Sequence, residues 1–556
     1  MSNNYLPSDY QTFIATSRYA RWIEDEGRRE TWGETVERYL QNIAKTWLKP
    51  VDLDEMRDAI LSLEVMPSMR SMMTAGKAAD RDNTCMYNCS YLPVDDPKSF
   101  DEAMFILLCG TGVGFSVERQ FIAKLPDVPS LFQSDTCVVI KDSKEGWAKG
   151  LRQVLALLWA GEIPKWDISR VRPAGARLKT FGGRASGPAP LVDLFNFAVT
   201  TFKGAQGRRL SSLECHDLMC KIGEVVVVGG VRRSAMISLS NLSDDRMRHA
   251  KSGAWWENAS HRALANNSVS YSEKPDSMSF MREWTALMES GSGERGIFNR
   301  EASVKQAAKN GRRESCYEFG TNPCSEIILR PNQFCNLTEV VIRANDSLED
   351  LTRKVRLATV LGTIQSTYTK FPYLRKVWTT NTEAERLLGV SLTGIMDNKL
   401  MTTANAGLAD TLEHLKNVAV STNAEWADRL GIPHSTAITC VKPSGTVSQL
   451  VDSSSGIHAR HSPYYIRTVR GDNKDPLTAF MRDQGIPSEP DVMKPDATTV
   501  FSFPMQSPIG AVCTADMTAL EQLEMWLLYQ RHWCEHKPSV TINVKPDEWF
   551  EVGAFV

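Results

Sequence analysis

A chain of 556 residues with 64 basic and 66 acidic side chains carries a formal charge of −2, so no global field draws it to nucleic acid or to an anionic membrane. No apolar run approaches membrane-spanning length and residues 1–10 form neither a signal nor a transit pattern, which points to a soluble, cytoplasmic protein. Twelve scattered cysteines argue against a secreted disulfide framework, so reduced thiols are the expected state and any disulfide should be catalytic.

At roughly 150 residues per domain the length suits three or four domains, or one large α/β barrel with helical additions. Near the N-terminus Phe13, Ile14, Tyr19, Trp22 and Ile23, then Trp32, Val36, Tyr39, Leu40, Ile43 and Trp47, recur at three and four. This spacing predicts two amphipathic helices joined by a charged connection over 24–29. From about Ser68 short apolar segments alternate with glycine, proline and asparagine. Strands are expected at 104–108, 225–228, 235–239 and 340–342, and helices at 147–160, 191–202, 351–371 and 408–427. Such alternation favours a barrel or a wound sheet. The polar stretch 471–498 is expected to be a surface excursion. No internal repeat or low-complexity segment interrupts the pattern.

The densest chemistry lies at Asn322-Pro323-Cys324-Ser325-Glu326, followed by an apolar run and Cys335. A thiol, a carboxylate and a carboxamide stand within five residues, as thiol chemistry on a bound substrate requires. The Asn-Pro step predicts a turn that presents Cys324, although an isolated Cys-x-Glu is more often a packed cysteine. Glycines 110, 112 and 114 miss the dinucleotide-binding spacing by one position, and no Walker A pattern occurs. Gly112, Val113 and Gly114 therefore predict either a close backbone approach to a ligand or a structural turn. Two basic, glycine-bearing runs follow: Arg172 to Gly183, with Arg177 and Lys179, and Gly229 to Ser234, with Arg232 and Arg233. Both suit phosphate recognition, or are solvated loops. Pro443-Ser444-Gly445-Thr446 offers hydroxyls and backbone N–H groups at a strand end, for phosphate or as a cap. No Cys-x-x-Cys pair occurs and histidines do not cluster near the thiols, so no metal site is expected. Tyr464-Tyr465, His458 and His461 suit packing or a surface turn, with the two histidines kept as candidate ligand contacts.

As an ordered set, Asn322-Pro-Cys324-x-Glu326, Cys335, Gly229-Gly-Val-Arg-Arg-Ser, Arg172 to Gly183 and Pro443-Ser-Gly-Thr446 resemble the catalytic chain of a ribonucleotide reductase. Cys440-Val-Lys-Pro-Ser-Gly-Thr-Val and Ser455-Gly-Ile-His-Ala-Arg-His-Ser-Pro-Tyr-Tyr-Ile-Arg467 are similar to the adenosylcobalamin-dependent class II enzymes, ribonucleoside-triphosphate reductases above all. The resemblance implies that Cys324 carries a thiyl radical, Glu326 is the base, Asn322 holds substrate, and Cys89 with Cys335 form the redox pair. Cys85 competes with Cys89. It further implies substrate contacts at Pro443 to Thr446 and Gly112 to Gly114, effector contacts at Arg172, Arg177, Lys179, Arg232 and Arg233, and cofactor contacts at His458 and His461. A class I catalytic subunit, which would take its radical from a separate subunit through a tyrosine pair close to the C-terminus, a role for which Tyr464-Tyr465 lies too near Pro443 to Thr446, and a split nucleotide-binding fragment are the alternatives. No Asp-x-His-x-x-Gly signature occurs, which suits adenosylcobalamin that keeps its own base on cobalt.

The implied fold is α/β: a ten-stranded barrel of two antiparallel halves with a central finger loop. An N-terminal helical region over 1–80 precedes a barrel over 81–556, with the effector region in 120–235. Ribonucleotide, deoxynucleotide effector and thioredoxin or a similar dithiol are the implied partners. The family pattern continues past the residues matching Val556 to a cysteine-bearing tail, whereas the last cysteines here are Cys513 and Cys534. Either the chain is truncated or split, with the end of the barrel and the redox tail on another polypeptide, or reduction proceeds otherwise.

Overall fold

The computed structural model describes residues 5–176, 185–228, 235–403 and 406–556. The two N-terminal helices form at Asp9–Arg18 and Trp32–Tyr39, joined by a small antiparallel ribbon of β1 (Trp22–Ile23) and β2 (Arg28–Arg29). Thr31 and Glu34 start the second helix with a reciprocal capping box, satisfying N–H groups that a helix start leaves open. Its stripe of Trp32, Val36 and Tyr39 is buried as the spacing predicts, while Trp22 and Trp47 face solvent.

The strands that follow are β3 (Val65–Met66), β4 (Cys89–Pro93), β5 (Gly112–Ser116), β6 (Phe132–Val139), β7 (Glu162–Asp167), β8 (Met236–Asn241), β9 (Ala265–Tyr271) and β10 (Gly296–Asn299). After them come β11 (Gly320–Thr321), β12 (Ile328–Leu329), β13 (Gln333–Val341), β14 (Leu388–Thr393) and β15 (Thr439–Cys440). One nine-stranded sheet runs β10-β9-β8-β5-β4-β13-β14-β15, with β3 also on β13. Its neighbours are parallel except where β4, and β3 in line with it, meet β13. The sheet is thus two parallel halves joined antiparallel at β4 and β13. Beyond β15 the chain at 535–539 extends the ladder, with Val441 N donating to Lys537 O at 3.2 Å and Ser539 N to Val441 O at 2.8 Å. Parallel neighbours need crossovers, and helices such as Lys98–Leu108 and Leu348–Gln365 supply them.

The hairpin of β11 and β12 lies inside this curved sheet. A Cβ on Gly114 of β5 would sit 1.7 Å from Thr321 O, and one on Gly320 would enter the ring of Tyr91 on β4. Only glycine lets strand and hairpin approach so closely. Ile327 and Leu329 of the hairpin pack with Cys89, Tyr91, Leu239, Phe298, Cys335, Leu337 and Cys440 into a core of their own, separate from the larger core beneath the helices. A finger loop in the centre of a barrel is the arrangement the resemblance implies.

Two expected strands are helical. Residues 104–108 end the buried helix Lys98–Leu108, and 225–228 end the helix Ser212–Val228. The helices at Lys144–Trp159, Ala189–Gly204 and Ala406–Leu430 and the strand β8 lie where the pattern puts them, whereas the helix expected to reach 371 stops at Gln365 and the strand expected from 340 is the end of the longer β13. The stretch 471–498 is more ordered than a loop. It lies in a three-stranded antiparallel sheet of β16 (Tyr464–Asp472), β17 (Ser488–Pro490) and β18 (Thr498–Gln506), with the helix Pro476–Asp483.

Candidate active site

Between β11 and β12 the chain makes a tight turn, Ser325 N donating to Asn322 O at 2.9 Å. Pro323 sets the first corner of this turn and Ser325 takes a left-handed φ of 64°, a sparsely populated conformation for a residue with a side chain. Asn322 Oδ1 accepts from Ile327 N at 3.0 Å, bridging the turn from inside. Cys324 is therefore lifted to the tip, where it is exposed, while Asn322 and Glu326 on either side are buried.

Cys89 and Cys335 stand directly opposite each other on antiparallel β4 and β13. Opposed residues in such a ladder have Cα atoms about 4.5–5.5 Å apart, within disulfide range. Asn322 Nδ2 donates to Cys89 Sγ at 3.2 Å, and the Cys89 thiol faces Glu326 Oε1 at 3.8 Å. Burial, and then the charge of Glu326, pushes both thiols well above the usual range, so both keep their protons at neutral pH. Cys85 instead gives its thiol to Asp82 O at 3.1 Å and neighbours Cys109. The geometry favours Cys89.

Glu326 Oε2 is buried and has no hydrogen-bond partner among the described residues. Burial works against the Lys442 ammonium, yet the charges of Glu326 and Glu339 hold it above its ordinary value. Glu339 on β13 is buried, which raises its carboxyl, and it accepts from Ser444 Oγ.

Buried ion pairs that sequence patterns do not reveal fix the stem of the hairpin. Arg300 Nε donates to Phe319 O at 2.8 Å while its guanidinium is held by Glu118. On the other strand Arg313 donates to Ile328 O and to Glu385, each at 2.9 Å. Glu385 also takes Gln333 at 2.7 Å and Arg330 at 3.0 Å. Ile328 N donates to His536 Nδ1 at 3.3 Å, and His536 Nε2 bonds Leu388 O at 3.0 Å. Such partners lie as far as 208 residues away, and an arginine or histidine in isolation carries no signal of them.

The other expected site residues divide. Gly112 and Gly114 line the finger loop, their open sides taken by Pro323 and Thr321 O, and Val113 is buried between them. The Ser444 hydroxyl is engaged by Glu339, leaving Gly445 exposed and Pro443 and Thr446 half-buried at the start of the short helix Val447–Val451. Arg172 pairs with Asp142 at 2.7 Å and stays partly exposed. Arg177, Lys179, Arg232 and Arg233 lie outside the described residues. Both ring nitrogens of His458 are engaged by the protein, Ser455 O facing Nδ1 at 2.7 Å and Thr541 N donating to Nε2 at 3.0 Å. His461 is exposed, edge-on to Tyr465. Tyr464 is 72 % exposed on β16, remote from the pattern of a buried radical relay. Two adjoining cavities of 470 and 580 Å³, lined by Arg119, Ser211, Asp244 and Arg246 and by Arg208, Arg209 and Asp217, lie at the start of the helix Ser212–Val228 and share no residue with this cluster.

Comparison with known proteins places this geometry. The family model of the B12-dependent ribonucleotide reductase insertion domain matches residues 121–201, which lie between β5 and β8. The adenosylcobalamin-dependent ribonucleoside-triphosphate reductase of Lacticaseibacillus paracasei is 27% identical over 651 aligned residues, covering 97% of this chain and 85% of its own length. A crystal structure of a B12-dependent, class II ribonucleotide reductase superposes with a TM-score of 0.83 at 23% identity, covering 97% of this chain and 88% of that one. The α subunit of the class Id enzyme of Actinobacillus ureae superposes less well, at 0.51 and 12% identity over 87% and 80%. The likeness extends almost the whole length of the sequence and is greater to class II than to class I, and the thiol cluster sits on the finger loop that this fold encloses: the chain has the fold of the class II ribonucleotide reductases and is similar to them over nearly its full length.

Proposed function

We propose that the chain reduces ribonucleoside triphosphates to 2′-deoxyribonucleotides with adenosylcobalamin as radical source. When bound, that cofactor supplies a carbon-centred radical by homolysis of its cobalt–carbon bond. The residues fit such a reagent, since Cys324 is the member of the cluster open to solvent and both ring nitrogens of His458 are engaged by the protein, as suits a cofactor that brings its own base to cobalt. His461, exposed beside Tyr465, is a contact candidate for it.

The single observation that carries the proposal is the orphaned, buried Oε2 of Glu326 beside a facing thiol pair and an exposed third thiol. In this reading the Cys324 thiyl takes the 3′-hydrogen and Glu326 Oε2 accepts the 3′-hydroxyl proton. Asn322 positions Cys89 and orients the ribose. The 2′-hydroxyl leaves as water, with two hydrogens and two electrons from Cys89 and Cys335, which become a disulfide, and the hydrogen returns to C3′ from Cys324. Thiols held protonated by burial suit this step, because a poor leaving group needs a proton donor. Gly445 and Thr446 receive the phosphates, and the region around 121–201, with Arg172, Arg177, Lys179, Arg232 and Arg233, binds a deoxynucleotide effector. Thioredoxin or another dithiol then reduces the disulfide.

Incubating the full chain with adenosylcobalamin, dithiothreitol and ATP, CTP, GTP or UTP should yield the deoxynucleotide. Cys324→Ser should abolish it while nucleotide binding persists. Absence of product from all four substrates, or turnover by Cys324→Ser, would overturn the proposal.

A further inference from the structure

The finger loop is braced from a side that the reaction scheme does not use. Lys537, on the segment that extends the ladder past β15, donates from Nζ to Ser325 Oγ at 2.9 Å. Its backbone N donates to Glu326 O at 3.0 Å. The same ammonium lies 4.6 Å from the centre of the Phe298 ring on β10, at the far edge of the sheet. Lys537 thus stands where the two ends of the sheet approach each other, and reaches the tip of the hairpin between them. Its target, Ser325, holds the left-handed φ that turns Cys324 outward. A strained residue persists only where its surroundings over-determine it, and here one neighbour binds both its side chain and the next peptide.

We propose that Lys537 is a positioning residue of the reductase reaction, its ammonium locking the Ser325 turn and thereby the placement of Cys324 and Glu326. The inference rests on the function proposed above. A neutral prop would pack beside Phe298 at less cost, since burial disfavours the ammonium and lowers it to about 8, with Glu326 opposing that shift. The titratable groups around Lys537 are Glu326 on the hairpin and neutral His536 on its own segment; Phe298 on β10 offers only its ring face. Deprotonation leaves the amine a weak donor to Ser325, so the lock should loosen as pH rises through about 8.

The test compares wild type, Lys537→Met, Lys537→Arg, Ser325→Ala and the double variant Lys537→Met/Ser325→Ala in the full chain. With misplacement on the ångström scale costing about 100-fold, Lys537→Met should lower kcat on that order while KM for the nucleotide stays within about twofold. Its Tm at pH 7 should be no lower than that of wild type. Ser325→Ala should lose a similar factor and the double variant no more than the larger single loss. Wild-type kcat should decline on the alkaline side near pH 8, and Lys537→Arg should retain activity and move that decline upward. Independently of turnover, hydrogen exchange over 322–327 should accelerate in Lys537→Met and leave β13 unchanged. Wild-type kcat in Lys537→Met, additive losses, or unchanged exchange at 322–327 would overturn the assignment. A wild type without reductase activity whose exchange nevertheless responds to Lys537→Met would instead overturn the proposed reaction alone.

Discussion

The chemistry of the cluster depends on the contrast between one exposed thiol and two buried ones. In the proposed reaction Cys324 would meet a reagent from outside, which its exposure allows, whereas Cys89 and Cys335 would hold protons and electrons where their burial keeps water from competing. Because the pair faces across a ladder, oxidation requires only rotation about side-chain bonds. Cys335→Ser should therefore fold normally and bind nucleotide, yet show no multiple turnover with dithiothreitol and no Cys89–Cys335 disulfide by peptide mass spectrometry after reaction with CTP. Full turnover by that variant would move the redox role to another buried thiol, such as Cys440 in the same small core. The residues of the motif from Asn322 to Glu326 were legible in the sequence because each carries its own chemistry. Lys537, Arg300 and Arg313 were not, because a surface lysine and a buried clamp look alike until the fold sets them against the hairpin.

Elements were legible wherever the apolar spacing was undisturbed, and misread where burial was complete. Residues 104–108 look like a strand because the helix ending there is apolar on nearly every side, its Asp101 and Glu102 being neutralised by Arg152 and Arg375. The four valines at 225–228 have strong strand propensity, and tertiary packing at the end of a 17-residue helix overrides it. The glycines of β5 were read as turn or ligand contact; a strand that must admit a hairpin against its face needs them equally. Gly114→Ala would push a methyl group into Thr321 O, a backbone atom that cannot swing aside. The expected cost is at or above the upper end of the about 1–3 kcal/mol typical of overpacking, read as a fall in the urea midpoint, with loss of turnover through displacement of Cys324.

At the scale of the whole molecule the barrel halves are far apart in sequence, and no local pattern reveals that β4 pairs with β13 or that 535–539 reaches the hairpin. His536 links these levels to stability. It accepts from Ile328 N with Nδ1, so it must be neutral, and burial and then Arg313 depress its basicity well below the ordinary value. In the unfolded chain it gains a proton below about 6.5. The unfolded state then binds more protons than the folded one, so stability is full above that pH and declines as pH falls below it, by up to about 1.4 kcal/mol per pH unit. Urea unfolding between pH 7 and 5 should show a steeper loss in wild type than in His536→Gln, and equal slopes would remove His536 as the cause. No helix among the described residues is long and apolar enough to cross a membrane.

The hairpin that carries Cys324 fills the bore of the barrel, and that constrains the order of assembly. A plug flanked by β5, β13 and the segment at 535–539 cannot be threaded in once Lys537 and Phe298 have come together, so the hairpin must dock before the last seam closes. Glu326 and Lys537 are brought together late, and an unfinished barrel therefore leaves the Ser325 turn that presents Cys324 without its brace.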